Sequence, residues 1–188
     1  MLRHASIVLA LGLVLLTGCG NSRTPVSSAS SPQAPQGVQT LHYGPAGVGF
    51  QAPRNWSVEA QQPPLVAVVS SGPATVVVWR YPRGTPPPAG AGLARARARL
   101  VDAVRARDGT LALIRSKLVS VGSAPGIELD ANEQIHGQPR RVRSTHVFLE
   151  GAELVLDEYA PPSVFHGVDH AVFSPLKRSL QLFSPIPP

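Results

Sequence analysis

The chain has little cysteine and little lysine. Cys19 is the only cysteine among 188 residues, so no disulfide can form within one molecule. Lys117 and Lys177 are the only lysines, and arginine therefore supplies most of the net charge of +6. The serine-nucleophile pattern GxSxG, glycine-rich phosphate loops and nucleic-acid-binding motifs are also missing. These absences exclude a disulfide scaffold, and we expect a non-enzymatic protein with no cofactor and no nucleic-acid partner.

The N-terminal segment has the features of an export signal. A basic start precedes an apolar run over residues 7–16, which is too short to span a bilayer comfortably. The run ends in Leu16-Thr17-Gly18-Cys19, which resembles the lipobox of bacterial lipoproteins. That resemblance implies a signal peptide over residues 1–18, acyl chains such as palmitate on Cys19, and an extracytoplasmic protein anchored to the cell membrane. An ordinary cysteine near a signal-peptidase site or inside a signal anchor remains the alternative.

The remaining chain divides into a tether and one domain. Residues 19–37 carry a tract of serine, proline, glutamine and alanine without hydrophobic periodicity. Such a composition buries too little apolar surface to offset the entropy of ordering, so we predict a disordered tether. Residues 38–188 have the length of one globular domain.

Short β-branched runs and two periodic segments predict the elements of this domain. Two helices are expected from apolar residues at helical spacing, over 93–107 and 165–182, with Gly109 ending the first and Ser174-Pro175 restarting the second. A valine-rich run at 75–81 lacks alternation, which is typical of a central strand covered on both faces. The other predicted strands lie within 47–58 and at 65–71, 111–121, 125–134, 140–150 and 153–159. We therefore predict an α+β fold with a central antiparallel β-sheet flanked by helices.

The order of these motifs resembles a known family of α/β/α sandwiches. The resemblance rests on Gly49-Phe50, Pro53 and Trp56, on Val121-Gly122-Ser123-Ala124, on Tyr159-Ala160-Pro161, and on Phe173, Leu176, Ser179 and Leu180. Over residues 43–183 the chain is similar to the PsbP-like family, which includes actinobacterial LpqN-like lipoproteins. The resemblance implies the predicted antiparallel sheet and a non-enzymatic accessory role in binding or assembly. The metal-binding positions of the specialised photosynthetic relatives do not map onto this chain.

The predicted hairpins suggest one constellation of ionisable residues. Pairing the strands about Gly137 and Gly151 places Glu128, His146 and Asp157 in one row across three strands. An imidazole between two carboxylates is a candidate metal site or general base. A shift of one residue in register would break the row, and simple charge compensation between strands is the alternative.

Two further groups of residues have a chemical and a structural interpretation. His166 and His170 are four apart, so they share one face of a helix and are candidate zinc ligands, although no third ligand accompanies them. Arginines 140, 141 and 143 face an acidic strand, and we interpret them as cross-strand pairs, each of which contributes about 0–1 kcal/mol if it is exposed. We therefore expect no bound metal.

The sequence favours a binding module over an enzyme. We expect a membrane-anchored module of the cell envelope that binds or assembles an envelope protein or polymer. The alternative is a carrier of a lipid or another apolar small molecule, held between sheet and helix. A core completely filled by Trp56, Trp79, Phe148 and Phe173 would leave no room for such a ligand, so the volume of any cavity decides between the two.

Overall fold

Ten strands and three α-helices make up residues 31–185, the part of the chain that the computed structural model describes. The strands are β1 (Gln39–Tyr43), β2 (Val48–Ala52), β3 (Ser57–Ala60), β4 (Leu65–Ser71), β5 (Ala74–Pro82), β6 (Ala112–Val121), β7 (Ala124–Ile135), β8 (Gln138–Leu149), β9 (Ala152–Ala160) and β10 (Gln181–Leu182). The helices are α1 (Ala91–Arg107), α2 (Pro162–Val168) and α3 (Ser174–Arg178). Within this range no helix is both long and apolar enough to cross a membrane. The predicted signal peptide and Cys19 lie outside the described residues.

Seven strands form one antiparallel sheet in the order β3-β4-β5-β9-β8-β7-β6. The first five residues of β5 are buried without alternation, because both faces of the sheet are covered at this strand. The prediction that the valine-rich run is a covered inner strand is therefore confirmed. A smaller sheet, β1-β2-β10, includes β1, which the sequence analysis missed.

Helices cover the two faces of the main sheet. On one face α1 packs Leu93, Leu100 and Val104 against β7 and β8. On the other face α2, α3 and the small sheet enclose the larger core, which includes Trp56 and Phe173. The predicted α+β architecture, an antiparallel sheet flanked by helices, is confirmed.

The predicted register of the β7–β8 hairpin is wrong by one residue. Its turn contains only His136 and Gly137, with φ angles of 50° and 73°, as a type I′ turn requires. Ile135 therefore pairs with Gln138, and Glu128 lies opposite Thr145 rather than opposite His146. Pairing about Gly137 alone, as predicted, shifts the register by one residue from this two-residue turn.

The C-terminal helical segment also differs from its prediction. It begins at Pro162 instead of 165, and residues 181–182 form β10 instead of a helical end. A π-helical turn, Asp169–Phe173, links α2 to α3, and the N–H of Ser174 donates to the carbonyl of Asp169 five residues earlier. Pro175 has no backbone N–H, so it cannot donate the usual hydrogen bond to the carbonyl four residues earlier. The turn before it therefore adopts the wider π-helical form.

Both ends of α1 depart slightly from the prediction. The helix begins two residues earlier, at Ala91, and Asp108 is its C-cap. The Asp108 carboxylate accepts hydrogen bonds from the N–H and the hydroxyl of Thr110, which turns the chain toward β6. Gly109, predicted to stop the helix, does not adopt the left-handed conformation.

Part of the predicted tether lies against the domain. The N–H of Gln33 donates to the hydroxyl of Ser71, and its carbonyl accepts from the indole of Trp56. The side chain of Asn55 also bonds the backbone at Ala34 and Gln36. Ordered contacts therefore begin before the predicted boundary at residue 38.

Candidate functional site

A cleft of about 560 Å³ lies between the C-terminal half of α1 and the sheet. Helix α1 covers the sheet loosely, since Val104 is its only fully buried residue. We call this space the α1 cleft and define it by its lining residues. From α1 these are Leu100, Ala103, Val104 and Arg107. The other apolar and aromatic residues are Trp79, Tyr81, Leu111, Leu113, Leu129, Ala131, Val142 and Val155, and the other polar residues are Glu133, Ser144, His146 and Asp157. The walls are therefore mostly apolar, with polar groups gathered on β8 and β9.

Trp79 and Tyr81 form an aromatic wall of the α1 cleft. They are two residues apart on β5, so both rings lie on one face of the sheet, with centroids 6.0 Å apart and planes 15° apart. Tyr81 is 39% exposed and Trp79 is partly exposed. Of the two tryptophans that a completely filled core would include, Trp56 is 4% exposed and lies in the core, whereas Trp79 is only partly buried and packs against a smaller cluster.

A chain of hydrogen bonds crosses the floor of the cleft. Nδ1 of His146 lies 2.6 Å from Oε1 of Glu153, and Nε2 lies 3.2 Å from Oγ of Ser144. The Ser144 hydroxyl donates to Oδ1 of Asp157 at 2.6 Å. The structure thus connects two members of the predicted row, His146 and Asp157, through a serine that the sequence analysis did not consider. The third member, Glu128, lies on the opposite face of the sheet.

The charged groups at this floor are well compensated. Burial favours the neutral form of Glu153, but hydrogen bonds from His146 and Arg83 outweigh it and lower the pKa of the carboxyl. Arg83 donates to Glu153 at 2.6 Å and lies over the ring of Phe148. Burial, reinforced by the charge of Asp157, raises the pKa of Tyr81, so its hydroxyl keeps its proton at neutral pH.

The arrangement of Ser144, His146 and Glu153 resembles a serine–histidine–acid triad in its connections alone. In a hydrolase the serine hydroxyl donates to the imidazole, whereas here it donates to Asp157. A carboxylate beside the serine opposes the negative charge that develops on an attacked carbonyl oxygen. β8 is paired on both edges, so its backbone N–H groups already bond the neighbouring strands. The geometry therefore favours ligand binding over acyl transfer.

The opposite face of the sheet holds a buried ion cluster centred on Arg143. Both terminal nitrogens of Arg143 donate to the carboxylate of Asp169, at 2.6 and 2.7 Å. Its Nε lies 3.4 Å from Asp130, which also pairs with Arg115 and Arg141. The predicted cross-strand pairing is therefore present at Arg143 and Asp130, but both residues are buried, so the small contribution of an exposed pair does not apply. Removing one partner of a buried pair costs about 3–5 kcal/mol, because the other charge is left buried.

The two histidines considered as candidate zinc ligands lie at the surface. His166 and His170 are both exposed, and the carboxylate of Asp169 beside them is bound by Arg143 and by the hydroxyl of Ser174. No group of three or more histidine, cysteine, aspartate or glutamate side chains within residues 31–185 is arranged to hold a metal ion.

Two residue patterns escaped the sequence analysis. Ser144 and His146 are two apart on a strand, a spacing that puts both on one face and could have indicated their contact. Ser174 and Lys177 have the SxxK spacing on α3, but the serine donates to Asp169 and the lysine donates to Glu128. Different carboxylates therefore hold the two side chains, which do not form a nucleophile and base pair.

Comparisons with known proteins identify the fold. The domain is similar to cyanobacterial PsbP (CyanoP) from Synechocystis, with 14% identity and a TM-score of 0.60 over 84% of this chain and 98% of that one. It is similar to LpqN of Mycobacterium tuberculosis, which is involved in cell envelope biogenesis, with 12% identity and a TM-score of 0.56 over 79% and 93% of the two chains. The Ran-binding protein Mog1p of Saccharomyces cerevisiae gives 10% identity and a TM-score of 0.55 over 79% and 99%.

Comparison of the sequence alone finds no match among family models or curated proteins. The likeness is therefore one of three-dimensional structure, and at these identities it shows the fold alone. The described domain has the PsbP-like fold, as its sequence motifs predicted.

Proposed function

We propose that the protein is an extracytoplasmic, non-enzymatic binding module of the cell envelope, anchored by lipid on Cys19, and that the α1 cleft holds its ligand. The observation that carries the proposal is the cleft itself. Its volume of about 560 Å³ falls within the range of about 300–1,000 Å³ that is usual for small-molecule sites. Because this space is open between helix and sheet, the ligand-carrier alternative is favoured over a completely filled core.

The lining of the cleft defines the class of ligand. Leucine, valine and alanine side chains, with the rings of Trp79 and Tyr81, offer an apolar surface along the walls. Ser144, His146 and Asp157 offer polar atoms at the floor. A ligand with an apolar body and one hydrogen-bonding group fits both surfaces, because the body displaces water while the polar group fixes its orientation.

The location and the lack of catalysis have independent support. The lipobox supports export and anchoring, and one protein with the same fold, LpqN, is involved in cell envelope biogenesis. The bond from Ser144 to Asp157 opposes a nucleophilic role for the serine. Mog1p, which also shares the fold, is a Ran-binding protein, so the scaffold suits binding.

The edge of the sheet favours a second candidate, the assembly role. β6 ends the main sheet, and its Ile114 and Leu118 are 46% and 43% exposed. An envelope protein or polymer bound here would cover both side chains. A photo-crosslinking residue at Leu118, compared with one at the exposed Arg99 of α1, tests this role in the native envelope. A partner captured from Leu118 alone supports assembly, whereas equal capture from both positions contradicts it.

A matched pair of helix variants tests the cleft. Ala103 and Ala106 are both exposed on α1, but only Ala103 lines the cleft. We expect Ala103→Trp to fill the space, and Ala106→Trp to add the same side chain outside it. The full-length protein is titrated with the neutral apolar dye N-phenyl-1-naphthylamine, whose fluorescence rises in apolar surroundings.

The expected result is saturable dye binding by the unmodified protein and by Ala106→Trp, with affinity at least about tenfold lower for Ala103→Trp. Melting temperatures of both variants confirm that they fold. Equal binding by the two variants, or no binding by the unmodified protein, would exclude the cleft as the ligand site.

A further inference from the structure

A second pocket lies on the opposite face of the sheet from the α1 cleft. It has a volume of about 340 Å³ and is bordered by strands β6, β7 and β8 and by the end of α3. Its polar lining residues, which define the α3 pocket, are Lys117, Ser120, Glu128, Thr145, Lys177 and Arg178. The proposed ligand site in the α1 cleft uses none of these residues.

Both lysines of the chain meet in the α3 pocket. Nζ of Lys117, on β6, lies 3.0 Å from one oxygen of Glu128, and Nζ of Lys177, on α3, lies 2.5 Å from the other. The remaining cations of the protein are fifteen arginines, spread over many elements. Lysine is a compact point charge with three donors, whereas arginine is a planar fork suited to carboxylates. Both lysine ammonium groups of the protein therefore lie in this one pocket, while its other basic side chains are arginines.

The α3 pocket has more positive than negative charge. Among the residues that line the pocket, Lys117, Lys177 and Arg178 face one carboxylate, that of Glu128. Behind the lining, Lys177 also interacts with Glu158 and Asp169, and Arg143 contacts both of these acids. Arg178 makes no ion pair within residues 31–185. Each ammonium group uses one contact on Glu128, and the side chain of Lys117 is 48% exposed, so further donors face the pocket. An excess of two positive charges in a recess attracts an anion, because partial burial weakens solvent screening.

A buried hydroxyl supports the same conclusion. Thr145 lies directly opposite Glu128, borders the pocket and is fully buried, and within the described residues its hydroxyl has no hydrogen-bond partner. Most buried polar side-chain atoms in proteins have a partner, and an unpaired one needs an explanation. A ligand oxygen entering between the lysines would supply a partner.

We propose that the α3 pocket binds a phosphate group. A phosphate carries close to two negative charges at neutral pH, which matches the excess of two positive charges. Its tetrahedral oxygens accept bonds from donors that approach from several directions, here from β6 and from α3, and lysine binds phosphate as a point charge. The volume exceeds that of phosphate alone, so the group it is esterified to also fits. The phosphate comes either from solution or from a lipid headgroup beside the anchor.

The presence of only two lysines gives a direct measurement. In the full-length lipidated protein, in non-ionic detergent, lysine labelled with ¹³C at Cε yields one NMR signal each for Lys117 and Lys177. Inorganic phosphate and glycerol 3-phosphate, which represents the phosphomonoester headgroup of phosphatidic acid, are titrated at constant ionic strength against chloride. We expect both signals to shift and to saturate with either phosphate compound and not with chloride.

Charge-matched variants separate a site from general attraction. Lys117→Gln removes one cation of the pocket, and Glu128 still forms its ion pair with Lys177. Arg99→Gln is the control, because it removes one exposed cation on α1, outside the pocket. We expect Lys117→Gln to raise the dissociation constant for phosphate about tenfold, as followed on the Lys177 signal, and Arg99→Gln to leave it unchanged. Arg178→Gln gives a second pocket variant if Lys117→Gln lowers the melting temperature.

The outcomes distinguish the source of the phosphate and the failure of the proposal. Tighter binding of glycerol 3-phosphate assigns the site to a headgroup, and tighter binding of inorganic phosphate assigns it to free phosphate. Unmoved lysine signals, or an equal loss of affinity in Lys117→Gln and Arg99→Gln, would overturn the proposal. Because the α1 cleft is tested with a neutral dye, either site can fail without the other.

Discussion

Glu158 is the most unusual single residue of the described domain. Its side chain is completely buried in β9, and neither carboxylate oxygen makes a hydrogen bond to any group within residues 31–185. Arg143 approaches to 3.6 Å, but its two terminal nitrogens already donate to Asp169. Burial, only partly offset by Lys177 and Arg143, raises the pKa of Glu158 from 4.5 to about 7. The group therefore changes its charge close to neutral pH inside the ion cluster.

This pKa predicts a fall in stability as pH rises. Between pH 4.5 and about 7 the folded protein keeps the proton on Glu158 while the unfolded chain loses it. The folded state then binds more protons, so the free energy of unfolding decreases with pH across this window, by about 3 kcal/mol in total. We expect Glu158→Gln to remove this decrease.

Urea unfolding at pH 5 and pH 8, at constant ionic strength, provides the measurement. The free energy of unfolding should fall between pH 5 and pH 8 by about 3 kcal/mol more for the unmodified protein than for Glu158→Gln. The histidines contribute equally to both proteins, so their effect cancels in this comparison. Parallel profiles of the two proteins would show that Glu158 is ionised throughout.

At the scale of elements, β7 and β8 approach each other unusually closely at Gly126. A Cβ atom at this position would lie 2.6 Å from the backbone carbonyl oxygen of His146 and 3.1 Å from a methyl group of Val119. Backbone atoms cannot move aside as a flexible side chain can, so this glycine is required for the strands to pair.

We expect Gly126→Ala to lower the free energy of unfolding by about 1–3 kcal/mol, because the methyl group forces the strands apart. Gly167→Ala is the matched control, since Gly167 lies in α2 with no atom within 4 Å of the added Cβ. That change should stabilise the protein by about 0.5–1 kcal/mol, because glycine weakens a helix. Equal effects of the two variants in thermal or urea unfolding would contradict the close approach.

The elements show which features a sequence can predict. The strands of the central meander, α1 and the covered position of β5 follow from local periodicity and were correctly predicted. Hairpin registers were not, because the β7–β8 turn places His136 at a positive φ, which few residues other than glycine adopt. One residue of register decides which face a side chain occupies, so Glu128 was assigned to the wrong site.

The two candidate sites escaped the sequence for a different reason. The α1 cleft depends on how loosely one helix covers the sheet, and the α3 pocket joins Lys117 to Lys177 across 60 residues of chain. Neither feature has a local pattern. The burial of Arg143 could not be predicted from the sequence either. Ion pairs at the surface and in the interior are formed by the same residue types, so the sequence does not distinguish them.

At the scale of the whole molecule, the described end of the tether, near Gln33, and the edge strand β6 lie at opposite sides of the sheet. Gln33 bonds Ser71 at the end of β4, next to the β3 edge, while β6 forms the other edge. Six strand spacings of about 4.8 Å separate the two edges, which is ~30 Å. The α1 cleft and the α3 pocket lie on the two faces between these edges, so the two proposed binding sites are separate surfaces of one domain.

The anchor is the remaining prediction for the whole molecule. Two acyl chains on Cys19 would hold the protein firmly, since each buried methylene contributes about 0.8 kcal/mol of membrane binding. We expect Cys19→Ala to abolish labelling by an alkyne fatty acid in cells and to leave an unprocessed precursor. Ser28→Ala, within the predicted tether, should be labelled and processed normally.

The domain itself should not depend on this anchor. Within residues 31–185 the first hydrogen bond to the domain is that of Gln33, fourteen positions after Cys19, and the core and both pockets lie beyond that point. We therefore expect the Cys19→Ala protein, solubilised in the same detergent, to melt at the same temperature and to bind the dye with unchanged affinity. Labelling that persists in Cys19→Ala would refute the lipid anchor while leaving the binding domain intact, because the two rest on separate parts of the chain.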